Sequence, residues 1–191
     1  MELRELRGEE ARDHVNELAE LRIAVFGEWP YIYKGSVDYE RRYLETYLSC
    51  PDSLMVLAFD HDQLVGATTA LPLPEAEQEM KQPFLDAGLP IDDFLYFGES
   101  VVLEAWRGRG LGSRFFEARE AHAQRLGLSR TAFCAVDRPA DHPLRPAGYV
   151  GNDAFWSKRG YRRHPELQCR FEWQDLDQPA PTEKTLTFWL K

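Results

Sequence analysis

Val101-Val102-Leu103-Glu104-Ala105-Trp106-Arg107-Gly108-Arg109-Gly110-Leu111-Gly112-Ser113 carries the chain from an apolar run through a glycine turn into a helical pattern. The apolar stretch from about Phe94 to Leu103 predicts a buried strand, and Leu111 to Leu126, stopping at Gly127, predicts a helix. Glycines at alternate positions let the backbone approach a ligand closely, and the start of a helix leaves several N–H groups pointing outward. The partial positive charge of that helix end favours an anion, so the turn is a candidate phosphate cradle. The dinucleotide fingerprint G-x-G-x-x-G is not met, because Ser113 stands where its third glycine belongs. No Gly-Lys-Ser/Thr follows, so the Walker pattern fails too. A solvated helix behind an ordinary glycine turn would show the same spacing.

Charge favours the anion reading. From Arg107 to Arg130 there are six arginines and two glutamates, a local +4, in a chain whose 23 Lys+Arg and 32 Asp+Glu sum to −9. The other residues therefore sum to −13. A balance this acidic argues against general binding of nucleic acid or of an anionic membrane, and favours a cationic small molecule as partner. With 43% hydrophobic and 29% charged residues, the 191-residue chain is too apolar to be disordered and large enough for a core without staples. Cys50, Cys134 and Cys169 lie far apart without metal-ligand spacing, so neither a zinc site nor a disulfide framework is expected. The charged start Met1-Glu2-Leu3-Arg4 has no apolar signal region, and the apolar run Leu54 to Phe59 is too short to span a bilayer. A cytoplasmic location is the expectation.

One domain over residues 1–191 is predicted, since no repeat or linker divides the chain. Leu3 and Leu6 fit a short opening strand. Ala11, Val15, Leu18, Leu21 and Val25 recur at helical spacing, and Asp38–Ser49 predicts a second helix with Tyr39, Tyr43 and Tyr47 four apart. Leu54–Asp60 and Leu64–Leu71 read as a hairpin. Strands are expected at Thr131–Val136, Gln168–Trp173 and Thr185–Leu190, with a short helix around Asp153–Arg159. The Pro-rich stretch Asp137–Gly151 is longer than most loops without a function. This order suits an α/β or α+β fold with a mixed sheet and helices on both faces.

Arg107-Gly108-Arg109-Gly110-Leu111-Gly112 resembles the Q/R-x-x-G-x-G/A signature of the GNAT superfamily of acetyl-CoA-dependent N-acetyltransferases. Phe155-Trp156-Ser157-Lys158-Arg159-Gly160-Tyr161 resembles that family's L-Y-x-K-x-G-F segment, and the order of elements matches over nearly the whole chain. The resemblance implies that backbone N–H groups from Arg109 to Ser113 hold the pyrophosphate of coenzyme A, with arginines assisting. It implies that the pantetheine arm lies beside Val101, Val102 and Leu103, in a gap where this strand splays from Thr131–Val136. It further implies that a backbone N–H there polarises the thioester carbonyl. Acetyl-CoA is then the co-substrate, with no metal, and the acceptor a small-molecule or peptide amine. Members are often dimers, but no interface is legible here.

The acceptor must lose a proton to attack, and Glu99 is the candidate base. It is expected on the strand beside the thioester, between Phe97 and Val101 on one face, where a carboxylate among apolar neighbours is costly unless paired or used. Pairing with an arginine, or a bulge turning it to solvent, is the structural alternative. Trp156 stands where many relatives carry a tyrosine that protonates the departing thiolate. An indole cannot serve as that acid, so Trp156 is expected to pack against the cofactor arm or the core. The departure also leaves open a non-catalytic acyl-CoA sensor. Trp29, Tyr31 and Tyr33 could form an aromatic wall for the acceptor, or simply cover the core, and His142 in the long loop could relay a proton or be solvated.

Overall fold

Leu54 to Phe59 buries every side chain, as a strand covered on both faces must. In the computed structural model, which describes residues 1–191, this run is β2 (Leu54–Asp60). It pairs antiparallel with β1 (Glu2–Leu6) on one side and with β3 (Gln63–Pro72) on the other. β4 (Phe94–Val102), β5 (Arg130–Val136), β6 (Arg162–Trp173) and β7 (Thr182–Leu190) complete one seven-stranded sheet of order β1-β2-β3-β4-β5-β7-β6. Only the β4–β5 pair is parallel. Helices α1 (Val15–Phe26), α2 (Val37–Leu48) and α3 (Gln78–Asp86) cover one face, burying Leu18, Leu44, Leu48 and Phe84. Helices α4 (Leu111–Arg125) and α5 (Asp153–Lys158) cover the other through Phe115, Phe116 and Phe155. No helix is long and apolar enough to cross a membrane.

Two elements differ most from the sequence reading. Between β3 and β4, where no element is assigned from sequence, the chain forms a full helix, α3, despite Pro83 within it. β6 begins at Arg162 instead of Gln168, because a register irregularity between His164 and Gln168, spanning Pro165, breaks the alternation.

The decisive irregularity is in β4. Thr68 pairs with Ser100 and Ala70 with Phe97, so Thr69 alone faces both Gly98 and Glu99. This bulge inserts one extra residue and reverses the facing of everything after it. Phe97 packs on the α4 side with Phe116 and Phe133, whereas Val101 packs on the α1–α2 side. The expectation that Phe97, Glu99 and Val101 share a face is thereby corrected. Gly98 is required: a Cβ there would collide with the Tyr47 hydroxyl and stand 2.5 Å from Thr69 Oγ1.

The bulge also takes the Glu99 carbonyl out of the sheet ladder, where it needs other donors. Thr68 Oγ1 donates to it at 2.5 Å and Arg119 Nη1 at 3.3 Å. Arg119 is only 2% exposed, its guanidinium 4.1 Å from the Phe97 ring centre, and burial pulls it down to about 10. β4 and β5 pair only from Phe94/Arg130 to Tyr96/Ala132 and then part.

On the same helix, His122 Nε2 lies 2.8 Å from the Asp52 carbonyl and Nδ1 3.3 Å from Arg125 Nη2. A guanidinium only donates, so Nδ1 accepts and Nε2–H donates, tying α4 to the chain before β2. Burial holds this imidazole below its usual value.

Two outcomes follow from this packing. Gly98→Ala should destabilise the fold by about 1–3 kcal/mol in urea unfolding, as overpacking does. An unfolded histidine takes a proton near about pH 6.5, while folded His122 resists it, so its stabilisation is full above that pH and declines below. Melting temperature should fall between pH 7.5 and 5.5, less steeply in His122→Gln; equal slopes would assign the acid sensitivity to other groups.

Candidate active site

Leu103 N–H donates to the Val65 carbonyl at 2.9 Å, so by strand alternation the Val102 peptide groups face the widening gap beside β5. The Val102 carbonyl is held there by Arg107 Nε at 2.9 Å. One tight turn, Glu104–Trp106, follows, pinned by Trp106 Nε1 donating to Asp60 at 3.1 Å. Gly108 and Gly110 then take φ of +73° and +82°, which side chains disfavour. The first bond of α4 runs from Arg114 N–H to the Gly110 carbonyl at 3.2 Å. The N–H groups from Gly108 to Ser113 meet no acceptor within the chain. They form a row of unpaired donors at a helix N-terminus, exposed from Gly108 to Gly110, with the chemistry an anion needs.

The local +4 is not all gathered at this turn. Arg119 is in the core, Arg125 pairs with Glu5 at 3.3 Å, and Arg130 covers the Phe94 ring. Arg107, Arg109 and Arg114 remain exposed near the donors, and Arg107 also meets Glu28 at 2.7 Å.

Across β4, a cavity of about 360 Å³ opens against α1 and α2. Glu99 Oε2 lies 2.5 Å from Arg22 Nη1, and Arg22 Nε donates to Glu40 Oε2, also at 2.5 Å. The side chains of Arg22, Glu40 and Glu99 are 7%, 1% and 1% exposed. Tyr43 donates to Glu99 Oε2 at 3.4 Å, and its hydroxyl lies 2.9 Å from that of Tyr47. The Oε1 atoms of both Glu40 and Glu99 have no hydrogen-bond partner. Thus the arginine pairing weighed as an alternative for Glu99 is present, and one carboxylate oxygen is left over. Tyr31, Tyr33, Tyr39, Tyr96, Phe171 and Trp173 enclose the space above. Cys134 also lines it, its sulfur 3.4 Å from the Tyr96 hydroxyl.

The aromatic stretch expected to act as one wall is divided. Tyr31 and Tyr33 line the cavity, but Trp29 turns away to His142 at 5.0 Å and Tyr149 at 6.0 Å between ring centres. Arg138 explains the division: it donates to the Pro30 and Tyr31 carbonyls at 2.8 and 2.7 Å while gripping Asp175 at 2.8 and 2.9 Å. His142 is likewise outside the cavity lining, its Nδ1 accepting from Leu144 N–H at 3.2 Å. Trp156 packs between Phe133 and Trp189, at 5.0 and 5.1 Å, on the α4 side. Val101 is fully buried on the α1–α2 side. No group of three or more His, Cys, Asp or Glu is placed to hold a metal ion.

Arg22, Glu40 and Tyr96 were not singled out from sequence. A signal existed for Arg22, which sits four residues from both Leu18 and Phe26 on the buried stripe of α1, where a cation needs a partner.

A family model for the GNAT acetyltransferases matches residues 17–147. Several solved structures share the fold at low identity. A ribosomal-protein-alanine N-acetyltransferase from Brucella melitensis has a TM-score of 0.63 at 13% identity, over 100% of this chain and 99% of its own. An acetyltransferase from Thermus thermophilus has 0.62 at 17%, over 100% and 97%. An aminoglycoside 6'-N-acetyltransferase complexed with coenzyme A has 0.59 at 16%, over 100% and 96%. None of the curated proteins matches this chain in sequence. A strand that bulges and parts from its parallel neighbour, a glycine turn opening a helix, and the family match over most of the chain agree: this chain belongs to the GNAT acetyltransferase family.

Proposed function

We propose that this protein transfers an acetyl group from acetyl-CoA to a small primary amine by direct attack, with both molecules bound at once. The observation that carries this reading is the parting of β4 from β5 beyond Tyr96 and Ala132, between a row of free N–H donors and a cavity floored by carboxylates. The donor row accounts for a pyrophosphate, and the gap accounts for an extended arm pairing with the Val102 edge after Arg107 swings off its carbonyl. That a structural neighbour is complexed with coenzyme A favours the same ligand for this chain.

Acetyl-CoA supplies the activated acetyl group. The roles left to this chain's residues are positioning and proton transfer. Gly108 to Ser113, with Arg107 and Arg109, neutralise the phosphates. Glu99 takes one proton from the bound ammonium group, freeing its lone pair to form the N–C bond as the C–S bond breaks. The second amine proton leaves with the thiolate, an acceptable leaving group because an ordinary thiol ionises near about pH 8.5. No side chain need act as general acid, which suits the packing of half-buried Trp156 against aromatic rings.

The packing of Trp156 where relatives carry tyrosine also favours the second reading, an acyl-CoA-binding module without turnover. Release of free thiol from acetyl-CoA over a panel of amines separates the two. Glu99→Gln should lower kcat by roughly 10²–10⁴-fold, the usual contribution of a positioned base, while coenzyme A affinity is retained. Gly110→Ala should do the opposite, raising KM for acetyl-CoA several-fold with little change in kcat, because it strains the turn and not the cavity. Tight coenzyme A binding with no thiol release from any amine would replace the transferase reading with the binding module.

A further inference from the structure

The floor of the cavity is short of one positive charge. Glu40 and Glu99 share the single guanidinium of Arg22, and all three are buried. Each carboxylate spends one oxygen on Arg22 and leaves Oε1 without a well-formed hydrogen bond, although both line the cavity and the Tyr33 hydroxyl stands beside Glu40. An unpartnered buried acceptor is costly, the more so when it is charged, so this arrangement calls for a cationic donor from within the cavity. A primary ammonium ion has the right count: one charge and three N–H donors in a compact head.

The rest of the lining restricts what can be attached to that head. The walls are mainly rings, among them Tyr31, Tyr33, Tyr39, Phe171 and Trp173. Such walls suit an aliphatic or aromatic body and stabilise a nearby cation through their faces. Hydroxyl-rich bodies would lose water there without enough partners. The lining also includes Glu77, Glu172 and Lys34, so the cavity holds four carboxylates and two cations. Burial pushes the Glu77 carboxyl up. An amine carrying its own carboxylate would bring a second anion into a space already in excess of them.

We propose that the acceptor is a primary alkyl- or arylalkyl-ammonium ion bearing no carboxylate, its head held between Glu40 and Glu99 and its body among the aromatic rings. This rests on the transferase reading for its role as acceptor, but not for its binding. Glu40 then determines specificity by fixing the ammonium group.

The test uses a matched pair differing by one carboxylate, 2-phenylethylamine and phenylalanine, with kanamycin as the hydroxyl-rich comparison. Each is measured on the full chain by calorimetric binding in the presence of coenzyme A and by thiol release with acetyl-CoA. Expected is binding of 2-phenylethylamine, with preference over phenylalanine of roughly 100-fold or more, as like-charge repulsion supplies. Glu40→Gln should weaken 2-phenylethylamine about tenfold or more, seen in its dissociation constant and its KM, with KM for acetyl-CoA as the check that the variant is folded. Should that variant not fold, the matched pair on the unaltered protein decides alone. Binding of 2-phenylethylamine without thiol release would uphold the ligand class and overturn the transferase reading. Equal treatment of phenylalanine, a preference for kanamycin, no binding of 2-phenylethylamine, or indifference to Glu40→Gln in a folded chain would overturn the inference, whatever acetyl transfer is seen.

Discussion

One extra residue in β4 organises the rest of the molecule. Because Gly98 and Glu99 together oppose Thr69, the strand before them faces the layers one way and the strand after them the other. That reversal delivers the Glu99 side chain to α1 and α2 while its carbonyl is taken by Thr68 and Arg119 on the α4 side. A single residue is therefore clamped from both faces of the sheet. The clamp holds the edge of β4 open where β5 diverges, and the two halves of the candidate site meet at that opening.

The turn from Val101 to Ser113 is legible in the sequence because its requirements are local. Positive φ demands glycine at 108 and 110, and a helix start exposes donors wherever it occurs. Most strands are legible too, from alternation and from recognisable turn residues, but the first half of β6, before its register irregularity, is not. The cavity floor is not, because Arg22, Glu40 and Glu99 come from three separate elements and nothing in their spacing announces that they meet. The bulge is hidden for a related reason: it is a property of two strands in register, and a regular pleat is the default for either alone. Trp29 departs from the expected wall because its orientation depends on Arg138, over a hundred residues away in the chain, holding the Pro30 and Tyr31 carbonyls.

Net charge is a poor guide until it is located. The arginines of the Arg107–Arg130 segment divide among a solvated turn, a core position and two surface partnerships. Only the first group can answer to an anionic ligand. Arg119, stacked on Phe97 and Phe116, instead serves the backbone of the bulge. On the opposite side, four carboxylates against two cations line a space walled by rings, where low polarity strengthens their field. The two electrostatic environments lie on either side of the same strand.

The surplus carboxylate at the cavity floor sets stability and selectivity against each other. Unpartnered buried charge burdens the folded chain whether or not anything is bound, and that burden is relieved only by an occupant of opposite sign. Substitutions that neutralise the floor would make the empty protein more robust and less discriminating together. Selection for thermal stability alone would be expected to erase Glu40 before it touched the glycine turn, which carries no comparable strain on the folded state.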